Sequence, residues 1–289
     1  MARGARPGAP GQGRAPRYMH DRLSVNAICF PGAGFRELAG YWQALGARRV
    51  SLVSTLVLEE GRAAAQEALR SSDCRVETVM HPFLFGRPLE TTEDSWRAAR
   101  AALDHAIDDA RVLGARSMYL LTGGHGTLTW EEAAEAFRAA VAPCVRKARD
   151  AGIPLMIENA PPLYADSHIA HTLRDAVALA EIADVGVCIE FFACWTEAAL
   201  RESIERAVPR CHVVQVCDYV CGDRSLPSRA VPGDGGIPVK RMIEWILRAG
   251  YRGVFDLELI GPRIDQEGRL NAVRRAADSV GEMLRSLGA

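Results

Sequence analysis

A chain of 289 residues with 48% hydrophobic and 25% charged residues has the composition of an ordinary globular protein and can bury a core without disulfides. Its formal net charge of -1 at pH 7 excludes the basic field that a nucleic-acid-binding protein needs. No run of about 18 apolar residues occurs, so we expect neither a transmembrane helix nor a membrane partner. With nucleic acid and membranes set aside, we expect the partner or substrate to be a small molecule.

The first 20 residues differ from the rest of the chain in composition. They are rich in Gly, Pro, Ala and Arg and lack the apolar core of a secretory signal. Such a segment cannot bury enough apolar surface to offset its chain entropy, so we predict a disordered tail over residues 1–20. No domain boundary is evident after it, and residues 21–289 are expected to form one domain.

Short apolar runs recur along that domain and alternate with longer segments of helical spacing. Eight runs predict strands, at residues 24–30, 49–54, 75–80, 117–122, 154–158, 185–190, 212–217 and 253–258. Segments such as 96–114 and 130–152 predict helices. Thr129 and Glu132 form a capping-box pattern before the second of these helices, and Gly114 and Gly152 follow the helix ends.

Strands that alternate with helices indicate a parallel sheet. Eight such units of roughly 30 residues fit an α/β fold of the closed (β/α)₈ type, a TIM barrel, better than an open sheet. The GxGxxG fingerprint of dinucleotide binding and the Walker A sequence are both missing. The eight cysteines form no CxxC pair and several lie in apolar runs, which favours reduced thiols in the cytoplasm over a zinc ribbon.

In such barrels the active site lies where strands end and the following loops begin. Polar residues at or near the predicted strand ends are His81, His125, Glu158, Asn159, Glu190, Gln215 and Glu258. Strand alternation places four of them, Glu158, Glu190, Gln215 and Glu258, on the inward face. We expect His81 and His125 on the substrate side. His168 and His171 look like surface or loop residues, and His212 is expected to be buried among the helices.

Three carboxylates that converge in a barrel mouth repel one another, and a bound cation removes that cost. Carboxylate and amide oxygens suit Mn²⁺ or Mg²⁺, so we predict one divalent ion on the four inward residues. The alternative is that the acids pair with arginines, for which Arg224, Arg229 and Arg263 are available.

Several motifs in order resemble one known family. They are IENAPP around Glu158, GVCIE before residue 191, HVVQVCD around Gln215, RAVPGDGGIP at 229–238 and GYRGVFDLEL around Glu258. Over residues 24–285 the chain resembles the xylose isomerase-like barrels called sugar phosphate isomerases and epimerases. It is similar to the hydroxypyruvate isomerases, tagatose 3-epimerases and 3-dehydroshikimate dehydratases among them.

The resemblance implies functions for individual residues. Glu158, Gln215 and Glu258 match metal ligands, and the two glutamates also match the acid and base that move a proton alpha to a carbonyl. Arg229 matches an arginine that follows the glutamine ligand, and we assign it to substrate binding together with His81, His125 and Asn159. The implied activity is isomerisation or epimerisation of a small hydroxy-carbonyl compound through an enediolate.

The chain departs from the family pattern in ways that keep other functions open. Glu190 stands where the family has aspartate, and Ala193 stands where it often has histidine. Phe191, Phe192 and Trp195 add apolar surface nearby, so we expect a less sugar-like pocket. A dehydratase would use the same site, and a barrel that binds a ligand without turnover is a further alternative. DNA-repair endonucleases share the fold family, but they need many histidines and a basic face. The sequence is compatible with a homodimer.

Overall fold

Eight parallel strands pair in chain order and close into a barrel, with β8 hydrogen-bonded to β1. The computed structural model describes residues 18–289. The strands are β1 Leu23–Asn26, β2 Arg49–Val53, β3 Arg75–His81, β4 Met118–Leu120, β5 Leu155–Glu158, β6 Gly186–Glu190, β7 Cys211–Val216 and β8 Val254–Leu257. All eight predicted strands and the predicted (β/α)₈ fold are therefore confirmed.

Helices follow the strands and cover the outside of the barrel. They are α1 Phe35–Leu45, α2 Ser54–Glu60, α3 Arg62–Ser72, α4 Glu93–Val112, α5 Trp130–Asp150, α6 Leu173–Ala183, α7 Phe191–Cys194, α8 Leu200–Ala207, α9 Val239–Arg248, α10 Pro262–Glu267 and α11 Arg269–Ser286. The predicted capping box is present, since Thr129 Oγ1 accepts from Glu132 N while the Glu132 side chain accepts from Thr129 N. Among residues 18–289, none of the helices is both long and apolar enough to cross a membrane.

The core has two layers because successive strand residues point to opposite faces of the sheet. A large outer layer lies between the strands and the helices. A small inner column fills the barrel and consists of Tyr119, Met156, Cys188, Val213 and Val254. This column fills the barrel interior below its carboxyl-terminal mouth, the end at which barrels of this kind carry their active sites.

The predicted tail lies for the most part outside the described residues. The described remainder packs on the barrel: Met19 N donates to Gly46 O over 3.1 Å, and the His20 ring is 3.0 Å from Ala289 O. The packed chain therefore begins no later than Met19.

Candidate active site

The four residues predicted to face inward converge at the carboxyl end of the barrel. Glu158 ends β5, Glu190 ends β6, Gln215 lies in β7 and Glu258 directly follows β8. All four are buried. Gln215 Nε2 donates to Glu258 Oε2, which joins the last two strands of the barrel across its mouth.

Arg229 is the cation of this site and is itself only 5% exposed. Its Nη2 lies 3.5 Å from Glu258 Oε1 and 3.7 Å from Glu190 Oε1. Its Nε and Nη1 atoms are buried and have no hydrogen-bond partner within residues 18–289. A buried guanidinium with two unused donors is costly unless a ligand accepts from them. Of the three arginines considered from the sequence, Arg229 is the one that pairs with these acids.

The carboxyl groups differ in what surrounds them. Glu158 makes no side-chain hydrogen bond or ion pair with the described residues. Its pKa is raised well above the usual value, first by burial and then by the neighbouring Glu258 and Glu190. Burial raises the pKa of Glu190 to about 7, against the opposing effect of Arg229. The pKa of Glu258 is also raised by burial, and Arg229 again opposes this. Uncompensated burial therefore makes Glu158 the acid that most favours its protonated form.

Glu190 also has a local structural role. Its carboxylate accepts from Phe192 N over 3.0 Å and from Ala193 N over 2.7 Å, so it caps α7. Asn159 holds the backbone of the same residue, because its Nδ2 donates to Glu190 O and its Oδ1 accepts from Glu190 N, both over 2.9 Å. Asn159 thus fixes β5 against β6, and both of its amide atoms are used away from the cavity.

The segment between β7 and α9 positions Arg229. Asp218 accepts backbone N–H groups from Tyr219, Gly233, Gly235 and Ile237 at 2.8–3.0 Å. Arg229 N donates to Ile260 O over 3.2 Å, which ties the segment to the end of β8. The PGDGGI part of the motif at residues 229–238 therefore folds around one buried carboxylate.

A cavity of about 250 Å³ opens at this mouth. It is lined by Ile28, Met80, Phe85, Tyr119, Leu121, Glu158, Ala160, Pro161, Tyr164, Ser167, His168, Pro227, Arg229, Glu258 and Ile260. Glu158, Glu258 and Arg229 thus share one cavity. His81, His125 and Asn159, three of the predicted substrate contacts, are not among the described residues that line it.

Comparison with known proteins assigns the fold to a family. A family model described as a xylose isomerase-like TIM barrel matches residues 37–287. The chain belongs to the xylose isomerase-like TIM barrel family. A comparison with curated proteins finds no match.

Solved structures of similar shape agree with this assignment. One is the protein SMc04130 from Sinorhizobium meliloti 1021, at 25% identity and a TM-score of 0.77, covering 92% of this chain and 98% of that one. Another is the IolI protein with a zinc atom, at 13% identity and a TM-score of 0.78, with coverages of 92% and 98%. A third is D-psicose 3-epimerase with D-tagatose from Clostridium cellulolyticum H10, at 15% identity and a TM-score of 0.75, with coverages of 90% and 98%.

Within this family barrel, His168 is a cavity residue that the sequence analysis placed wrongly on the surface or in an open loop. It is 1% exposed because residues 161–172 fold back over the mouth, where Ile169 N donates to Thr122 Oγ1 over 3.1 Å. His168 Nδ1 lies 3.3 Å from the same Thr122 oxygen, and Nε2 has no partner among residues 18–289. Burial lowers the pKa of His168 to about 3, so the ring is neutral.

Two other histidines were also given positions in the sequence analysis, and the structure shows where each of them lies. His212 was expected to be buried among helices, but it is exposed near the start of β7, at the end of the barrel opposite the cavity. His81 is buried at the end of β3, and its Nδ1 lies 2.9 Å from Ser54 Oγ. Burial lowers the pKa of His81 to about 4.

Asp256 is a buried acid that the sequence analysis did not select. It lies one strand repeat below Glu258, where it accepts from Ser51 Oγ over 2.7 Å and from Asn26 Nδ2 over 2.9 Å. Burial raises the pKa of Asp256 to about 7. These bonds tie β8 to β1 and β2, so Asp256 supports the strand that carries Glu258. The inward alternation of Asp256 with Glu258 was the sequence signal that could have identified it.

The oxygen atoms of Glu158, Glu190, Gln215 and Glu258 are the candidate ligands for a divalent cation. Within residues 18–289, the His, Cys, Asp and Glu side chains form no group of three or more already arranged to hold a metal ion. The chemistry of the site nevertheless fits one. Its donors are carboxylate and amide oxygens, which hard cations prefer. When ionised, the three glutamates beside the single Arg229 leave an excess of negative charge.

Proposed function

We propose that the chain is a metal-dependent isomerase or epimerase that moves a proton at the carbon alpha to a carbonyl in a small hydroxy-carbonyl compound. The observation that carries the proposal is the meeting of Glu158 and Glu258, from strands three positions apart in the barrel, in one cavity with Arg229. Solved structures of the same fold include an L-ribulose 3-epimerase and a 3-keto-D-glucoside 4-epimerase, whose names describe this class of reaction.

The two glutamates have surroundings that suit different roles. The ion pair with Arg229 favours the carboxylate form of Glu258, which suits the base that removes the proton. Glu158 has no such counter-charge among the described residues, and burial raises its pKa, so it is the more basic of the two carboxylates and suits the group that returns a proton. Because β5 and β8 approach from different sides of the barrel, the proton can be returned to a neighbouring carbon or to the opposite face of the same carbon.

Arg229 and the four residues that would hold the ion have different roles toward the substrate oxygens. We assign Arg229, whose Nε and Nη1 have no hydrogen-bond partner among residues 18–289, to bind the oxygen that gains charge when the proton leaves. Glu158, Glu190, Gln215 and Glu258 would hold the ion, with Mn²⁺ or Mg²⁺ as our choice. The ion supplies a Lewis acid that lowers the cost of an enediolate. We place the reaction in the cytoplasm because the cysteines are free thiols, which is typical of proteins in a reducing compartment.

The test is hydrogen exchange at the alpha carbon. The protein is incubated in D₂O with MnCl₂ and a panel of α-hydroxy ketones (hydroxyacetone, D-fructose and 2-hydroxyacetophenone), and deuterium incorporation is followed by NMR. We expect catalysed exchange, and we expect Glu158→Gln and Glu258→Gln each to lower its rate by about 10²- to 10⁴-fold. Glu77→Gln is the matched control, since Glu77 is equally buried but pairs with Arg49 and Arg116 at the other end of the barrel.

The outcomes separate the proposal from its alternatives. Exchange at C3 of D-fructose followed by loss of its C4 hydroxyl as water would assign a dehydratase to the same site. Binding of a panel member without exchange would indicate a barrel that binds without turnover. Near-normal exchange in both glutamine variants would show that these glutamates are not the proton-transfer pair.

A further inference from the structure

The residues that line the cavity are of two main kinds. Glu158, Glu258 and Arg229 are charged. A larger group, which we call the apolar wall, comes from β3 and from the loops that follow several different strands. Its members are Ile28, Met80, Phe85, Leu121, Ala160, Pro161, Pro227 and Ile260. Carbon atoms make up most of the surface that the cavity exposes, so this wall offers a ligand apolar contact and few hydrogen bonds.

Such a wall is a poor match for a free polyhydroxylated sugar. Each hydroxyl that leaves water for a site without a partner costs about 1–3 kcal/mol. The other polar residues of the lining are Tyr119 in β4, whose hydroxyl accepts from Asn26 Nδ2 over 3.3 Å, and Tyr164, Ser167 and His168 in one loop. An apolar substituent, in contrast, gains free energy from every carbon it buries against this wall.

Three large apolar side chains at or next in sequence to lining positions are exposed. Phe85 lines the cavity and is still 55% exposed. Leu163 and Leu226 are 69% and 55% exposed, and they adjoin the lining residues Tyr164 and Pro227. Large apolar side chains exposed together beside a cavity are typical of a ligand-binding edge. The aromatic residues singled out in the sequence have other partners: Phe192 packs on Arg229, and Trp195 on Tyr219.

We propose that the substrate is a hydroxy-carbonyl compound with an apolar substituent, such as an aromatic or alicyclic ring, that lies on this wall and reaches the rim at Phe85. The hydroxy-carbonyl end then faces Glu158, Glu258 and Arg229. The assignment of that end rests on the proposed function, whereas the preference for an apolar substituent rests on the wall alone.

The preference is measured as binding, which needs no turnover. The full chain with Mn²⁺ is titrated by calorimetry with 2-hydroxyacetophenone, hydroxyacetone and D-fructose. The first two share the same hydroxyketone and differ by a phenyl in place of a methyl group. We expect the phenyl ketone to bind at least about tenfold more tightly than hydroxyacetone, because even one added methylene in an apolar pocket is worth about tenfold or more. D-Fructose should bind more weakly than the phenyl ketone.

Variants of the wall locate the effect. Phe85→Ser, at an exposed position that should not disturb folding, is expected to weaken binding of the phenyl ketone by about 2- to 10-fold. Ile260→Thr keeps the branching at Cβ, removes the terminal methyl group and places a hydroxyl on the wall, and the same direction is expected. Neither should change binding of hydroxyacetone. Ile182→Ser removes a comparably exposed apolar side chain at the far end of α6 and serves as the control.

The binding preference for the phenyl ketone can be interpreted whether or not the protein catalyses exchange. A phenyl preference that Phe85→Ser and Ile260→Thr reduce supports the inference, even if the exchange experiment shows that the proposed function is wrong. Binding of D-fructose as tight as that of the phenyl ketone overturns it, as does a lack of saturable binding of the phenyl ketone up to its solubility limit. A phenyl preference that neither wall variant changes also overturns it.

Discussion

The guanidinium carbon of Arg229 lies 3.8 Å from the centre of the Phe192 ring. Phe192 in turn meets the Tyr219 ring edge-on, with ring centres 5.6 Å apart. The aromatic face therefore supports the cation on one side while Glu190 and Glu258 attract it on another. This arrangement fixes the plane of the guanidinium, whose buried Nε and Nη1 atoms have no hydrogen-bond partner among residues 18–289.

Phe192→Leu should weaken catalysis through Arg229. A cation on an aromatic face in a desolvated site is worth about 1–2 kcal/mol, so we expect kcat/KM to fall by roughly 5- to 30-fold. The measurement is the rate of alpha-carbon exchange on the best ketone of the panel. Trp195→Leu is the control, because Trp195 packs on Tyr219 instead. Equal losses in both variants would mean that the aromatic cluster acts through general packing.

The barrel itself could be predicted because its signals are periodic and local. Each strand is a short apolar run, and the alternation along β5, β6, β7 and β8 identifies the inward residues. The capping box at Thr129 marks the start of α5, where the structure has it. Such signals depend on neighbours in the sequence, so they remain readable without knowledge of the tertiary structure.

The rest of the site depends on long-range contacts that leave no periodic pattern. His168 becomes a cavity residue only because its loop folds back onto Thr122, 46 positions earlier. Asn159 is adjacent to Glu158 and lies at a strand end, yet both amide atoms bind the backbone of Glu190. The apolar wall combines residues from several loops. Residue type and position at a strand end could not distinguish a side chain that faces a ligand from one that braces a neighbouring strand.

Gly235→Ala should disrupt the loop that carries Arg229. A Cβ at this position would overlap Tyr219 O and Asp218 Oδ1, so Asp218 would have to leave the backbone N–H groups it accepts from. We expect a loss of about 1–3 kcal/mol in the free energy of unfolding, together with most of the exchange activity. Urea unfolding and the exchange rate check this. Gly40→Ala in α1 is the control, since its Cβ would meet nothing within 4 Å. Retention of full activity by Gly235→Ala would contradict the role assigned to the loop.

His168 should make the protein less stable in acid. Its pKa is lowered from 6.5 to about 3 in the folded chain, mainly by burial, so between these values the unfolded chain binds a proton that the folded chain does not. The stability that the neutral ring contributes is present above pH 6.5 and is lost as the pH falls towards 3, by up to about 1.4 kcal/mol per pH unit. His81, whose pKa is lowered to about 4, adds to the same trend.

His168→Asn should therefore flatten the pH dependence. The free energy of unfolding is measured in urea at several values between pH 4 and pH 7, without added metal. We expect the slope for His168→Asn to be smaller than for the unmodified chain by up to about 1.4 kcal/mol per pH unit. His105→Asn, at an exposed position on α4, is the control. An unchanged slope in His168→Asn would show that this ring is protonated in the folded chain.

Binding of Mn²⁺ should depend on the acids of the barrel mouth and not on buried acids in general. We expect the unmodified chain to bind one Mn²⁺ ion, as measured by electron paramagnetic resonance of the free ion during a titration. Glu158→Gln and Glu258→Gln keep an oxygen donor but remove a charge, so each should weaken binding by at least about tenfold. Arg229→Gln removes a competing positive charge beside Glu190 and Glu258, and it should tighten binding instead.

Glu77→Gln again provides the matched control, because it makes the same chemical change to a buried acid that pairs with arginines at the opposite end of the barrel. A change in Mn²⁺ affinity in Glu77→Gln as large as in the two mouth variants would indicate an effect on folding rather than on a ligand. Opposite signs for the glutamate variants and for Arg229→Gln are the specific expectation, since an unfolding effect would weaken binding in all of them. The metal assignment is wrong if neither the unmodified chain nor Arg229→Gln binds Mn²⁺. The carboxylates of the mouth would then be neutralised by Arg229 and not by a metal ion.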